Sequence, residues 1–177
     1  MLYYLILASM LVLPLFWLRI VKKYSWKQIR IELLPKYQGH KKEIIGSLAL
    51  FAALFLGFIL ITGFVDLVGI NDLDKVSQSI TESTSQGFSE FILTLFFVLF
   101  LEEFFFRAFL LKRMGMVPSN LVFTLLHTGY GSIAELIGVF VLGMILAYWY
   151  KKNNSLLQNY LGHLLYDFFA IAFYLFV

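Results

Sequence analysis

Residues 88–111 read FSEFILTLFFVLFLEEFFFRAFLL, a run whose only charged residues are Glu90, Glu102, Glu103 and Arg107. A helix needs about 20 mostly apolar residues to cross the hydrocarbon core of a bilayer, and this run is long enough. Three of its charges lie deep inside it. An ionisable side chain at such a depth costs roughly 2.5–3.5 kcal/mol on insertion scales, so each one demands an explanation. The run therefore predicts a membrane helix that carries chemistry or an ionic lock.

The rest of the chain has the same character. Its 177 residues are 60% hydrophobic and 19% aromatic, with a mean hydropathy of +0.83. Charged residues make up 14%, against about a quarter in a soluble domain. There is no cysteine, which excludes disulfides, thiol catalysis and zinc–thiolate sites. Six segments can be placed as membrane helices, at 2–20, 44–65, 88–111, 118–131, 133–150 and 155–177, the fourth short and either tilted or incomplete. The stretch Met1–Leu18 has no basic residues ahead of its apolar run and no small-x-small site after it. It reads as a retained helix rather than a signal peptide. No internal repeat is visible. The expected fold is an all-α, polytopic bundle of about six helices around a polar cavity. Residues 1–87 form an N-terminal part and 88–177 a core, within one integrated domain.

Lys and Arg orient the chain, because cytoplasmic connections retain them. The connection 19–42 holds Arg19, Lys22, Lys23, Lys27, Arg30, Lys36, Lys41 and Lys42. Lys112 and Arg113 follow the third segment, and Lys151 and Lys152 the fifth. The opposite side has only Lys75, in a polar loop with Asp66, Asp72, Asp74 and Glu82. This alternation predicts a multi-pass protein of the cell membrane with both termini outside.

Local signals refine the picture. Ser25 can cap a short helix with Trp26, Ile29 and Leu33 on one face, lying on the inner membrane surface; a solvated basic loop is the alternative. Ser132-Ile-Ala-Glu135 reads as a capping box, which gives Glu135 a structural role. Small residues four apart, Ala49, Ala53 and Gly57, then Gly143 and Ala147, predict close helix approach.

The remaining buried ionisable groups are His127 on the fourth segment, and His163 and Asp167 on the sixth. Glu103 lies nine residues before Lys112, His127 nine after Pro118, and His163 nine after Asn154. At about 1.5 Å rise per residue, each sits roughly 13 Å from the cytoplasmic boundary. Three helices thus place Glu, His and His in one layer of the inner half. Glu103 and Arg107, four apart, share a face and read as a structural ion pair. Glu102 is rotated by about 100° and lacks that partner, which suits a general base. His163 and Asp167 are also four apart, so the carboxylate can fix the imidazole tautomer.

Glu102-Glu103-Phe104-Phe105-Phe106-Arg107 matches EExxxR, Phe123-Thr124-Leu125-Leu126-His127 matches FxxxH, and His163-Leu164-Leu165-Tyr166-Asp167 matches HxxxN/D. In this order over residues 88–177 they resemble the CPBP (ABI) family, which includes the type II CAAX prenyl endopeptidases. The resemblance implies a helix bundle around a water-containing cavity open toward the cytoplasm. It implies Glu102 and His127 as activators of the hydrolytic water, His163 and Asp167 as stabilisers of the oxyanion, and Glu103 with Arg107 as a supporting ion pair. Prenyl endopeptidases of the family carry Asn where this chain has Asp167, and an amide donates a hydrogen bond that an ionised carboxylate cannot.

The expected activity is that of a glutamate-dependent intramembrane endopeptidase acting on a membrane-associated protein, prenylated or not. No cofactor is expected. Glu102, His127, His163 and Asp167 leave a zinc site as an alternative. The bilayer and a protein or peptide substrate are the expected partners; nucleic acid is not. Two other function classes stay open. One is a non-enzymatic member of the same family, serving in bacteriocin immunity or as a scaffold. The other is a haem or proton-transport protein using His127 and His163.

Overall fold

The computed structural model describes residues 2–35, 37–70 and 72–176, with backbone only for Leu2, Tyr3 and Phe176. Met1, Asn71, Val177 and Lys36, one of the eight inner-side basic residues, lie outside them. Among the described residues the chain is helical throughout and holds no strand. The helices are α1 (Leu2–Phe16), α2 (Trp26–Leu33), α3 (His40–Leu67), α4 (Asp74–Ser85) and α5 (Phe88–Glu102), then α6 (Leu111–Met114), α7 (Met116–Leu125), α8 (Ile133–Asn153) and α9 (Leu156–Phe176).

Their outer surface is apolar to a degree that water would not tolerate. Leu60 is 73% exposed, Leu67 85% and Phe97 70%. Such a surface makes this a membrane protein, with lipid covering what a soluble fold would bury. Three stretches are long and apolar enough to cross a membrane by themselves: Tyr4–Val21, His40–Leu67 and Ile133–Asn153. The other three expected segments are present as helix, but the structure does not establish six crossings.

In two places the helices differ from the sequence reading. The polar loop between the second and third segments contains α4. Its Val76 is buried and its Thr84 and Ser83 hydroxyls donate back to the carbonyls of Ile80 and Ser79. Those bonds satisfy groups that otherwise compete with a helix. The fourth segment starts earlier and ends sooner than expected. α7 has ten residues, about 15 Å, half a bilayer core. His127 therefore lies beyond its C-terminal cap, Leu126, and not within a helix.

The third segment is continuous from Phe88 to Met114 but changes hydrogen bonding in its middle. Glu103–Leu110 is a π-helical stretch, a feature that tends to mark functional positions. It joins α5 to α6, and Gly115, with φ +82, turns the chain directly into α7.

Two of the packed zones fix α3 on α8 and α2 on the π stretch. Leu50 and Leu54 of α3 meet Leu142 and Leu146 of α8, where a Cβ on Gly57 would press on Leu142 and Ile145. Ala49, expected in that small-residue row, is instead exposed. At the basic end, Ile29 and Leu33 of α2 pack with Phe104, Ala108 and Phe109 of the π stretch. Ser25 caps α2 through a capping box with Gln28, and Trp26 stays exposed. This is the amphipathic helix read from the sequence.

Candidate functional site

The π stretch and α9 meet at Glu103, which is fully buried. Its carboxylate accepts from Asn159 Nδ2 at 3.1 Å and from His163 Nδ1 at 2.9 Å, and Arg107 Nε lies 3.6 Å away. Two helical steps of four place Asn159, His163 and Asp167 in one row on α9. Asn159 Nδ2 also donates to the Leu146 carbonyl at 2.8 Å, which ties α8 into the same network. The Arg107 guanidinium stacks 4.5 Å from the Phe123 ring centre, a cation–π contact that helps carry a buried charge.

The expected ion pair is present, but Glu103 does more than neutralise Arg107. It fixes His163. A carboxylate accepts, so Nδ1 carries the hydrogen and Nε2 is turned toward Asp167, whose Oδ1 is 3.6 Å off. The sequence reading assigned the tautomer to Asp167; the shorter contact shows Glu103 in that role.

His127 is set differently. Its Nδ1 lies 2.9 Å from the Phe123 carbonyl, which can only accept, so Nε2 keeps its lone pair. Its ring sits against that of Phe123, with centroids 4.6 Å apart. Phe123 thus shields Arg107 with its ring and orients His127 with its backbone, which gives the first letter of the FxxxH pattern two physical jobs.

Glu102 makes none of these hydrogen bonds and is only partly buried. With His127, His163 and Asp167 it lines one cavity of about 180 Å³, large enough for several waters. No side-chain hydrogen bond within the described residues engages Glu102, so its oxygens are available to such a water. The four sequence-nominated residues are therefore brought together. Among the described residues no group of three or more His, Cys, Asp or Glu side chains is gathered as a metal-binding cluster.

Two further residues belong to the site. Asn159 is fully buried, and its spacing to His163 was the signal available. Glu135 was assigned to a capping box. Ser132 Oγ does accept from Glu135 N at 3.0 Å, but the Glu135 carboxylate lines the cavity, near enough to Asp167 for their charges to interact. The partner that completes the α8 cap is Asp72. Its carboxylate accepts from Ile133 N at 2.7 Å and Ala134 N at 3.1 Å. The cavity lining also includes Val65, Leu73 and Tyr174, near the α3–α4 connection.

Residues 84–169 match the family described as type II CAAX prenyl endopeptidase Rce1-like. That interval contains all three motifs and is the family group to which their resemblance pointed. It is a family of proteases. No protein of curated function and no solved structure matches the chain.

Proposed function

We propose that this membrane protein, Rce1-like over residues 84–169, is an intramembrane endopeptidase that hydrolyses a peptide bond of a membrane-associated protein with water activated by Glu102. The observation that carries the reading is the convergence of Glu102, His127, His163 and Asp167 on one cavity inside an otherwise apolar bundle. Four costly side chains on three separate elements are hard to explain by packing alone.

The chemistry follows from which atoms are engaged. Glu102 accepts one proton of the water as its oxygen attacks the scissile carbonyl, and the His127 Nε2 lone pair holds the water by accepting the other hydrogen. Electron density moves onto the carbonyl oxygen. His163, held through Nδ1 by Glu103, presents Nε2 on the cavity side; protonated there, it donates to the oxyanion. Glu102 then returns its proton to the departing amine, and the two peptide ends separate. Arg107 keeps Glu103 ionised as an acceptor, and so keeps His163 in register.

The test is Glu102→Gln in purified, membrane-reconstituted protein, followed with quenched peptide reporters and with a survey of new C-termini in cells. Cleavage should fall by about 10²–10⁴-fold, the usual worth of a general base, with an unchanged melting temperature. A variant that still cleaves at the parental rate removes Glu102 from the mechanism. A parental protein that cleaves nothing, while its biological effect survives loss of both Glu102 and His127, makes the chain a non-enzymatic relative.

A further inference from the structure

The cavity does not end at Asp167. A groove of about 660 Å³ continues from it between α4, α5 and α9, and Val98, Glu135, Tyr166 and Asp167 border both spaces. Glu90, Thr94 and Val98 of α5 line the groove, and Val98 and Glu102 line the cavity. Positions four apart are neighbours on a helix surface, so these four residues form a slanting row of about 18 Å that ends at Glu102. Across from it, α4 contributes Ser79 and Ser83, and Gln86 follows at its C-terminal cap. The lipid-facing side of α3 shows the contrast: Leu48, Leu56 and Leu60 are exposed there, with no polar group in their row.

We infer that this groove is the path by which the substrate peptide reaches Glu102, and that it takes a neutral or basic segment rather than an acidic one. The inference rests on the peptidase reading and specifies its substrate. A peptide drawn into the bundle must satisfy its backbone N–H and C=O groups where lipid cannot. Ser79, Ser83, Gln86 and Thr94 provide donors and acceptors along the way. The ionisable residues of the groove are Glu90, Glu135 and Asp167, with no Lys, Arg or His among its described lining. Carboxylates in the peptide, including a free C-terminus, are repelled there, and lysine or arginine is attracted. The groove lies at the N-terminal end of α5, so the substrate approaches from the end opposite Lys112 and Arg113.

The absence of cysteine makes the test direct. Thr94→Cys in the groove and Leu48→Cys on the far face of α3 are each made in a Glu102→Gln background, so that peptide is not consumed. The probe is a synthetic apolar peptide with one cysteine activated as a pyridyl disulfide, in lysine-flanked and glutamate-flanked versions. Trapping rates are normalised to reaction with dithiodipyridine alone. Thr94→Cys should trap the lysine-flanked peptide about tenfold faster than Leu48→Cys does, and about tenfold faster than it traps the glutamate-flanked one. Glu90→Gln should reduce that charge preference. Equal trapping at the two sites, or no effect of peptide charge, overturns the proposal. Because trapping needs no cleavage, a protein that cleaves yet fails to trap at Thr94→Cys sinks the groove alone. One that traps there but never cleaves in its parental form sinks the peptidase reading.

Discussion

His163 Nδ1 donates to Glu103 Oε1 at 2.9 Å, within a pair of residues that are 7% and 0% exposed. The same carboxylate faces Arg107, so one residue both fixes an imidazole and balances a buried guanidinium. The two duties can be separated. Glu103→Ala leaves Arg107 uncompensated and should destabilise the protein by about 3–5 kcal/mol. Glu103→Gln keeps the shape and an acceptor oxygen but removes the charge. It should fold with a smaller loss and still lower cleavage by about 10²–10⁴-fold, as loss of a tautomer-fixing carboxylate does elsewhere. Thermal melts and kcat measured on both variants check this. Full activity in Glu103→Gln would leave the residue a purely structural ion-pair partner.

Gly143 positions His127 at a distance. A Cβ at Gly143 would run into the Asn120 side chain and sit 3.1 Å from Phe123 Cδ1. Asn120 is itself fixed, its Nδ2 donating to the Phe140 carbonyl at 2.7 Å. Gly143→Ala should therefore cost about 1–3 kcal/mol as an overpacked contact and push α7 outward, carrying His127 with it. The substitution should couple to Asn120→Ala, so that the double variant loses less stability than the sum of the singles. A simple additive result in melts would mean that α7 yields without strain.

At the N-terminal end of α8, Asp72 works as a helix cap. Acceptance from Ile133 N holds its carboxyl below the usual carboxylate range, against desolvation, with Ala134 N, Ser132 Oγ and Lys75 adding to the effect. The folded protein therefore holds this proton less tightly than the unfolded chain. The resulting stabilisation is complete above the unfolded value of about 3.9 and fades as the pH falls through the lower folded value. Asp72→Asn should lower the melting temperature at neutral pH, and the gap from the parental protein should close only in the acid range below about pH 4. A gap that is constant down to the lowest pH tested would show that the carboxylate charge plays no part.

The helices of the apolar runs and the meeting of Glu102, His127, His163 and Asp167 were legible in the sequence, because buried charge in lipid is rare enough to stand out residue by residue. What the spacing could not carry was which oxygen meets which nitrogen. Asp167 and Glu103 are equally plausible partners for His163 by residue count. Only the widened π stretch, which no local pattern announces, brings Glu103 to Nδ1. Asn159 was missed because an uncharged amide costs less to bury and so drew no attention. Glu135 was misread for a related reason: Ser132 three residues before it satisfies a capping pattern whose second half Asp72 supplies from sixty residues away. α4 was hidden by its serines and threonines, whose hydroxyls bond back to the helix in a way composition does not reveal.

Asp167 is where this chain departs from the asparagine of the prenyl endopeptidases, and its geometry says what the change should do. Its Oδ1 stands 3.6 Å from His163 Nε2, too far for a good hydrogen bond, and Glu103 already orients that ring. Asp167 is therefore not needed as an acceptor for His163. Its place on the cavity wall suits a donor to the oxyanion, a role that an amide fills in every protonation state and a carboxyl only when it holds its proton. Asp167→Asn should then keep cleavage within about threefold of the parental rate or raise it, and flatten the alkaline side of the pH–rate profile. Asp167→Ala should lose about 10²–10³-fold, the worth of one oxyanion donor. Loss of activity in Asp167→Asn equal to that in Asp167→Ala would require a negative charge at this position, and the residue would then act on His163 or Glu135 rather than on the substrate.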